Sequence, residues 1–169
     1  PKNKYHPTSW IGIFIAKLIP LIKNQNTSIE KLGGIFVVII IAGVVVTLLL
    51  LLDFGISFLT TDWMILIVSI VVGILLFKST IAIRGMEQHA LAVMNSLEKN
   101  DLASARVHLS MIVKRKTKDL DKNHVISGVL ESISENTVDG ITGPMFYFAI
   151  FGLPGAFVYR VVNTADSMI

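Results

Sequence analysis

The chain has 169 residues, of which 53% are hydrophobic and 16% charged, with a net charge of +3 and a mean hydropathy of +0.69. A typical soluble domain carries about 25% charged residues, so this composition points to lipid, and the length leaves room for one domain. No cysteine is present: disulfides, thiolate metal sites and cysteine nucleophiles are excluded, and the modest positive charge, gathered beside apolar segments, reads as membrane orientation rather than nucleic-acid binding.

Residues 1–31 read as an interfacial segment. Ile11, Phe14, Ile15, Leu18 and Ile22 recur at helical spacing, while Trp10, Lys17 and Lys23 suit a headgroup region. His6 precedes Pro7 and is therefore extended or in a turn; a lone histidine reads first as a structural residue. The chain starts at Pro1 and stops at Ile169 directly after a polar run, so it reads as partial. The first apolar run lacks a signal-peptide cleavage region.

Leu32–Leu52 carries no charge and at 1.5 Å per residue covers about 30 Å, the thickness of a hydrocarbon core. Residues 53–62 read as a short loop with Asp53 and Asp62, and Trp63–Phe77 as a second span that Lys78 extends by snorkelling. Together 32–77 form a transmembrane hairpin. Lysines precede the first span, and Lys78 and Arg84 follow the second. The positive-inside rule thus places both flanks in the cytoplasm.

Residues 78–139 read as a cytoplasmic helical region. Met86, Ala90, Val93, Met94 and Leu97 share one face up to the break at Lys99-Asn100-Asp101. Asn100 or Asp101 caps the next helix, which carries Leu102, Ala105, Leu109 and Ile112 at helical spacing. Lys114-Arg115-Lys116-Thr117-Lys118 is either a membrane-surface basic patch or a phosphate clamp with Arg115 as the forked donor. Asp121 or Asn123 caps a further helix that turns Val125, Ile126, Val129, Leu130 and Ile133 inward, with Glu131 and Glu135 on its flank.

The polar run 131–140 stands out in so apolar a chain. Glu131 and Glu135 share a helix face, and Asp139 extends the row. Like charges in line are unfavourable unless a cation sits among them; Mg²⁺ favours carboxylates combined with phosphate oxygens. The alternative is a solvated face ending in a turn. Residues 140–169 hold an apolar stretch broken by Gly152-Leu153-Pro154-Gly155. Its halves are shorter than the roughly 17 residues a crossing helix needs. A re-entrant hairpin brings Arg160–Asp166 back toward Glu135 and Asp139, whereas one kinked span would separate them. The chain contains no Walker loop, dinucleotide fingerprint or zinc helix. Carboxylates (Glu131, Glu135, Asp139, Asp166), amides (Asn136, Asn163) and cations (Arg115, Lys116, Arg160) suit Mg²⁺-assisted phosphate chemistry.

Four motifs occur in order: His6-Pro7-x-x-Trp10-x-Gly12, Arg115-x-Thr117-x-x-Leu120, Glu131-x-x-x-Glu135-Asn136-Thr137-Val138-Asp139-Gly140-x-x-x-Pro144, and Tyr159-Arg160-x-x-Asn163-Thr164-x-Asp166-Ser167-Met168. Together they resemble the CobD/CbiB family, the adenosylcobinamide-phosphate synthases of cobalamin biosynthesis. The resemblance covers nearly the whole chain and implies an all-α, polytopic integral membrane protein of the cell membrane, its motifs facing the cytoplasm. It also implies further membrane helices in the family beyond the Asp-Ser-Met motif. The implied reaction is an ATP-dependent amide ligation of adenosylcobyric acid with aminopropanol phosphate or a related amino-alcohol phosphate. Carried onto the matching positions, it implies Glu131, Glu135, Asp139 and Asp166 as catalytic acids, with Mg²⁺ on Glu135, Asp139 or Asp166. Phosphates would fall to Arg115 and Arg160. Thr117, Asn136, Asn163, Thr164, Ser167 and His6 would contact substrate. Besides the lipid bilayer and the corrinoid, a second copy or other enzymes of the pathway are the implied partners. One departure stands out: the family often has Gly-Arg-Asp-Thr where this chain has Lys114-Arg115-Lys116-Thr117, which removes an acid from that loop and leaves its phosphate role. Two rival classes remain open, a non-catalytic regulatory relative and a transporter built on broken helices.

Overall fold

The computed structural model describes residues 7–23, 26–59, 62–81, 84–113 and 115–168. They form seven α-helices: α1 (Pro7–Ile22), α2 (Thr27–Leu59), α3 (Asp62–Thr80), α4 (Arg84–Glu98), α5 (Leu102–Ser110), α6 (Lys122–Thr137) and α7 (Gly143–Met168). A π-helical turn, Val138–Thr142, follows α6, and no strand occurs among the described residues. The chain divides into two compact units, one of Pro1–Ile81 with Gly143–Ile169 and one of Ala82–Thr142.

In the first unit, α2 and α3 are apolar on every side. Their most apolar windows have mean hydropathies of 3.4 and 2.2, yet only 11% and 6% of those windows is buried. Ile35, Phe36, Leu48, Leu66, Ile70 and Ile74 are each more than half exposed. So large an apolar surface is tenable in lipid and costly in water. The loop expected at 53–62 is largely helical, since α2 runs through Asp53 to Leu59. Phe54, Ile56, Phe58 and Leu59 keep the stretch apolar, no proline interrupts it, and a lipid-exposed backbone must satisfy its own hydrogen bonds. Gly55 alone costs about 1 kcal/mol against alanine, too little to end the helix. Ser57 adds an Oγ donation to the Phe54 carbonyl at 2.7 Å.

Helix α1 packs one face into this unit. Ile11 and Ile15 join Val37 and Ile41 of α2 and Phe157, Val161 and Ala165 of α7 in a single core, while Trp10 and Phe14 stay exposed. The close approach of α1 to α2 falls at Gly33, where a Cβ would lie 2.9 Å from that of Ile22.

Helix α7 breaks where the sequence placed the interruption. Gly152 has φ 65° and ψ −155°, a region that only glycine occupies without strain. The two limbs, 143–151 and 153–168, fold back on each other. Tyr147 and Tyr159 stack with ring centroids 5.2 Å apart, whereas a straight helix would separate them by about 18 Å. The returning limb closes tightly: a Cβ on Gly155 would collide with the Tyr147 carbonyl and come within 2.6 Å of Phe151 Cβ. Phe148 of the first limb meets Phe77 of α3 with centroids 4.1 Å apart. Beside the tip lies a cavity of about 370 Å³ lined by Asp53, Ser69, Gly73, Gly152 and Pro154 among others. Three helical stretches are long and apolar enough to cross a membrane, Thr27–Phe58, Trp63–Thr80 and Lys122–Met168, and the third reverses at Gly152.

The second unit is a small amphipathic bundle. Val93, Ala105, Leu109 and Val125 form its buried centre, flanked by Leu97, Leu102, Ile112, Leu120 and Val129. Asn100 takes a positive φ of 56° to close α4. Of the alternative caps, Asp101 and Asp121 serve: their carboxylates accept from the Ser104 N–H at 2.9 Å and the His124 N–H at 2.8 Å. Contrary to the inward row expected on α6, Ile126 and Leu130 are 40% and 59% exposed. Val125 is buried as expected and Val129 packs against the core, while Gly128 and Ser132 are buried where Ile126 and Leu130 are not. These small residues admit close packing, with Gly128 against Leu109 and the Ser132 hydroxyl 3.3 Å from the Ile112 carbonyl.

Candidate functional site

The motif residues are divided between the two units. In the amphipathic unit, Arg115 Nη2 pairs with Glu131 Oε2 at 2.9 Å, both side chains being substantially exposed. The guanidinium reaches Glu131 by lying across Gly128, where a Cβ would be 2.8 Å from Nη2. An isolated glycine inside a helical pattern costs about 1 kcal/mol against alanine and so points to a packing reason, a sign that Gly128 carries in the sequence. Thr117 is buried, and its hydroxyl donates to the Arg106 carbonyl at 3.0 Å. Arg106 Nε donates in turn to the Leu120 carbonyl at 2.6 Å. Thr117 therefore holds the loop that carries Arg115.

Glu135 is exposed on the last turn of α6. The Asn136 carboxamide donates to the Ser132 carbonyl at 2.9 Å, and the Thr137 hydroxyl to the Ile133 carbonyl at 2.7 Å. Asp139 and the buried Gly140 lie on the π turn. That wider turn replaces the α-helical register that would stack Asp139 over Glu135, so the expected row of three acids loosens at its third member. Single π turns inside helices recur at functional sites, and residue pattern alone gives no sign of one here. No group of three or more His, Cys, Asp or Glu converges as a metal site among the described residues.

The other motif occupies the second limb of α7. Val161 and Ala165 point into the core, leaving Arg160, Asn163, Thr164 and Ser167 on a neighbouring face and Asp166 exposed. The Thr164 hydroxyl donates to the Arg160 carbonyl at 2.7 Å, and the Ser167 hydroxyl to the Thr164 carbonyl at 2.8 Å. Their oxygens keep acceptor capacity. His6 lies outside the described residues.

A groove of about 580 Å³ runs between α4 and α6. Leu91, Met94 and Leu97 line one side and Ile126, Leu130 and Ile133 the other, with Glu87, Asn136 and Thr137 supplying its polar positions. Residue pattern does not reveal the groove, because helical periodicity alone turns Ile126, Leu130 and Ile133 toward a core.

Fold and site together define an all-helical protein of membrane type, with polar motifs placed on helices that adjoin its apolar segments. The CobD/CbiB protein family matches residues 1–169, and the chain belongs to that family. It is 37% identical over 169 aligned residues to a probable cobalamin biosynthesis protein CobD of Methanocaldococcus jannaschii, covering 97% of this chain and 53% of that protein. Against the cobalamin biosynthesis protein CobD of Dehalococcoides mccartyi it is 34% identical over 172 residues, covering 100% and 53%. A Thermoplasma volcanium protein, also named a probable cobalamin biosynthesis protein CobD, is 47% identical over 104 residues, or 62% of this chain and 34% of that one. The chain thus spans about half the length of the full-span relatives it matches. No solved structure matches it.

Proposed function

We propose that the chain is part of an adenosylcobinamide-phosphate synthase, a membrane enzyme of cobalamin biosynthesis. Its substrates would be adenosylcobyric acid, ATP and (R)-1-aminopropan-2-ol phosphate or an ethanolamine-type phosphate. What carries the reading is membership of the family over residues 1–169 with both polar motifs intact, Glu131–Gly140 and Arg160–Met168.

Amide formation from a carboxylate needs the oxygen converted to a leaving group. ATP would phosphorylate the free propionate and release ADP; the amine would then attack the carbonyl carbon, expel phosphate and lose a proton to a base. Arg115 and Arg160 suit the phosphate oxygens as forked donors. Glu135, Asp139 and Asp166 are the acids available to accept the amine proton, and Asn136, Asn163, Thr164 and Ser167 offer hydrogen bonds that orient substrate. Glu131, held by Arg115, would exchange that partner for solvent when a phosphate arrives.

Mg²⁺ typically takes one or two carboxylates and completes its shell with phosphate oxygens and water. Glu135 and Asp139 of the amphipathic unit, or Asp166 of the membrane unit taken by itself, would supply carboxylates of that kind without a dedicated all-protein cage. When bound, the ion neutralises charge on the phosphate oxygens. The excess of Lys and Arg beside the apolar segments supports a cytoplasmic orientation of the amphipathic unit.

The test uses the protein in membranes with the three substrates and Mg²⁺, and mass spectrometry for the amide product. Glu135→Gln and Asp139→Asn are assayed alongside. Product from the wild type that is lost in both variants supports the ligase and its acidic centre. Product surviving both variants moves the centre elsewhere, and no product with any amino-alcohol phosphate rejects the ligase in favour of a regulatory family member.

A further inference from the structure

The groove between α4 and α6 combines three properties that narrow its occupant. Its walls are aliphatic, and four of its residues, Leu91, Met94, Ile126 and Leu130, are 40–59% exposed. Its volume of about 580 Å³ lies within the range of about 300–1,000 Å³ typical of small-molecule sites. Its polar positions come from Asn136 and Thr137, members of the acidic motif, and from Glu87.

Those polar positions offer acceptors. Asn136 and Thr137 each use a donor on a backbone carbonyl of their own helix, Ser132 and Ile133 respectively. Their oxygens remain as acceptors, Asn136 keeps one further N–H, and Glu87 adds a carboxylate. No Lys or Arg lines the groove among the described residues. A polyphosphate carries acceptors and negative charge only, so it finds at most the one remaining Asn136 N–H here and is repelled by Glu87. The fitting ligand has an apolar body and a rim of N–H donors.

Of the substrates named above, one has that chemistry. We infer that the groove receives one edge of the corrinoid acid, its macrocycle against Met94 and Leu130 and its primary carboxamides donating to Asn136, Thr137 and Glu87. The inference rests on the cobalamin reading and deepens it. It assigns the corrinoid to the α4–α6 face and leaves the nucleotide to the arginines, and it adds Glu87, Met94 and Leu130 to the substrate-contacting residues.

These 169 residues hold no cysteine, so a cysteine introduced among them reports on its own position there. Single cysteines replace Met94 or Leu130 inside the groove and Met111, an exposed residue outside its lining, and the membrane-embedded protein is alkylated with N-ethylmaleimide. Cobyric acid should slow alkylation at positions 94 and 130 at least tenfold and leave position 111 unchanged; ATP should protect none of them. Binding of cobyric acid is read separately from the shift of its visible absorption bands. Binding without protection overturns the groove assignment and leaves the cobalamin reading standing. Protection by ATP, or cysteines at 94 and 130 already unreactive without ligand, also overturns it. Failure of cobyric acid to bind at all removes both. As a second measurement, Leu130→Trp fills the groove: it should weaken cobyric acid binding about tenfold with ATP binding unchanged, and equal affinity for cobyric acid would reject the site.

Discussion

The phenol ring of Tyr159 covers the backbone of Gly143 so closely that no side chain fits between them, while its face stacks on Tyr147. Residues 16 positions apart in the chain thus clamp the two limbs of α7 at the end away from Gly152. Gly143→Ala should destabilise the protein by about 1–3 kcal/mol, the usual cost of overpacking a close contact. Adding Tyr159→Ala should remove most of that penalty, because the clash then has no second partner. Thermal unfolding of the purified protein in a double-mutant cycle checks the coupling; additive losses would place the strain elsewhere.

At the other end of the hairpin, Gly152 holds a φ of 65° with ψ −155°, where an alanine carries a strain of about 1–3 kcal/mol. Gly152→Ala should lower the melting temperature even though the nearest non-neighbouring heavy atom to its Cβ is Pro154 Cδ at 3.9 Å. An unchanged melting temperature would mean the tip is free to relax.

Folding back has a topological counterpart. If the hairpin enters and leaves the bilayer on one side, single cysteines at Met145 and Ser167 should react with an impermeant maleimide from the same side as one at Lys118. Labelling of 145 and 167 from opposite sides identifies α7 as a crossing helix.

The Arg115–Glu131 pair is exposed, and such pairs contribute about 0.2–1 kcal/mol. Glu131→Gln should therefore shift stability by less than about 1 kcal/mol. Arg115→Lys, which loses the planar fork, should raise KM for the phosphate-bearing substrates about tenfold with stability nearly unchanged. Gly128→Ala should reproduce part of that KM effect, since its Cβ displaces the guanidinium. Steady-state kinetics with each substrate varied separates these outcomes, and a uniform fall in kcat alone would rule out the clamp.

Both N-caps of the amphipathic unit titrate below the ordinary carboxylate range. Asp101 is lowered chiefly by the hydrogen bond from the Ser104 hydroxyl, and Asp121 chiefly by the His124 backbone N–H. A carboxylate with a lowered folded pKa adds stability that is complete above its unfolded value, about 3.9, and is lost as pH falls through the folded one. The first turns of α5 and α6 should hold from neutral pH down to about 4 and loosen below it. Hydrogen exchange at the Ser104 and His124 amides between pH 6 and pH 3, corrected for intrinsic rate, measures this; Asp101→Asn should flatten the response at Ser104 alone.

The sequence made the long apolar helices legible because their length outweighs β-branched content, and Gly152-Leu153-Pro154-Gly155 marked the break in α7. It misled at 53–59 and at Ile126 and Leu130 for one reason. Periodicity identifies apolar residues without identifying what solvates them. In lipid, Phe54–Leu59 remain helical with no core to join, and Ile126 and Leu130 line a groove that an inward reading leaves no room for. The motif residues were visible as chemistry, whereas their hydrogen bonds were not. The bond from the Thr117 hydroxyl to the Arg106 carbonyl, eleven residues away, follows from no spacing, and the π turn beneath Asp139 has no compositional mark.

The short first limb of α7 bears on how the protein is made. The first limb, 143–151, falls short of the roughly 17 residues at which a segment partitions into the bilayer as a crossing helix, and the open backbone at Gly152 is unwelcome in bare lipid. The hairpin therefore depends on walls that already stand: Phe77 of α3 for its first limb, and Ile11, Val37 and Ile41 of α1 and α2 for its second. A re-entrant hairpin would give biogenesis an order, with α2 and α3 inserted first and the hairpin docking on them afterwards.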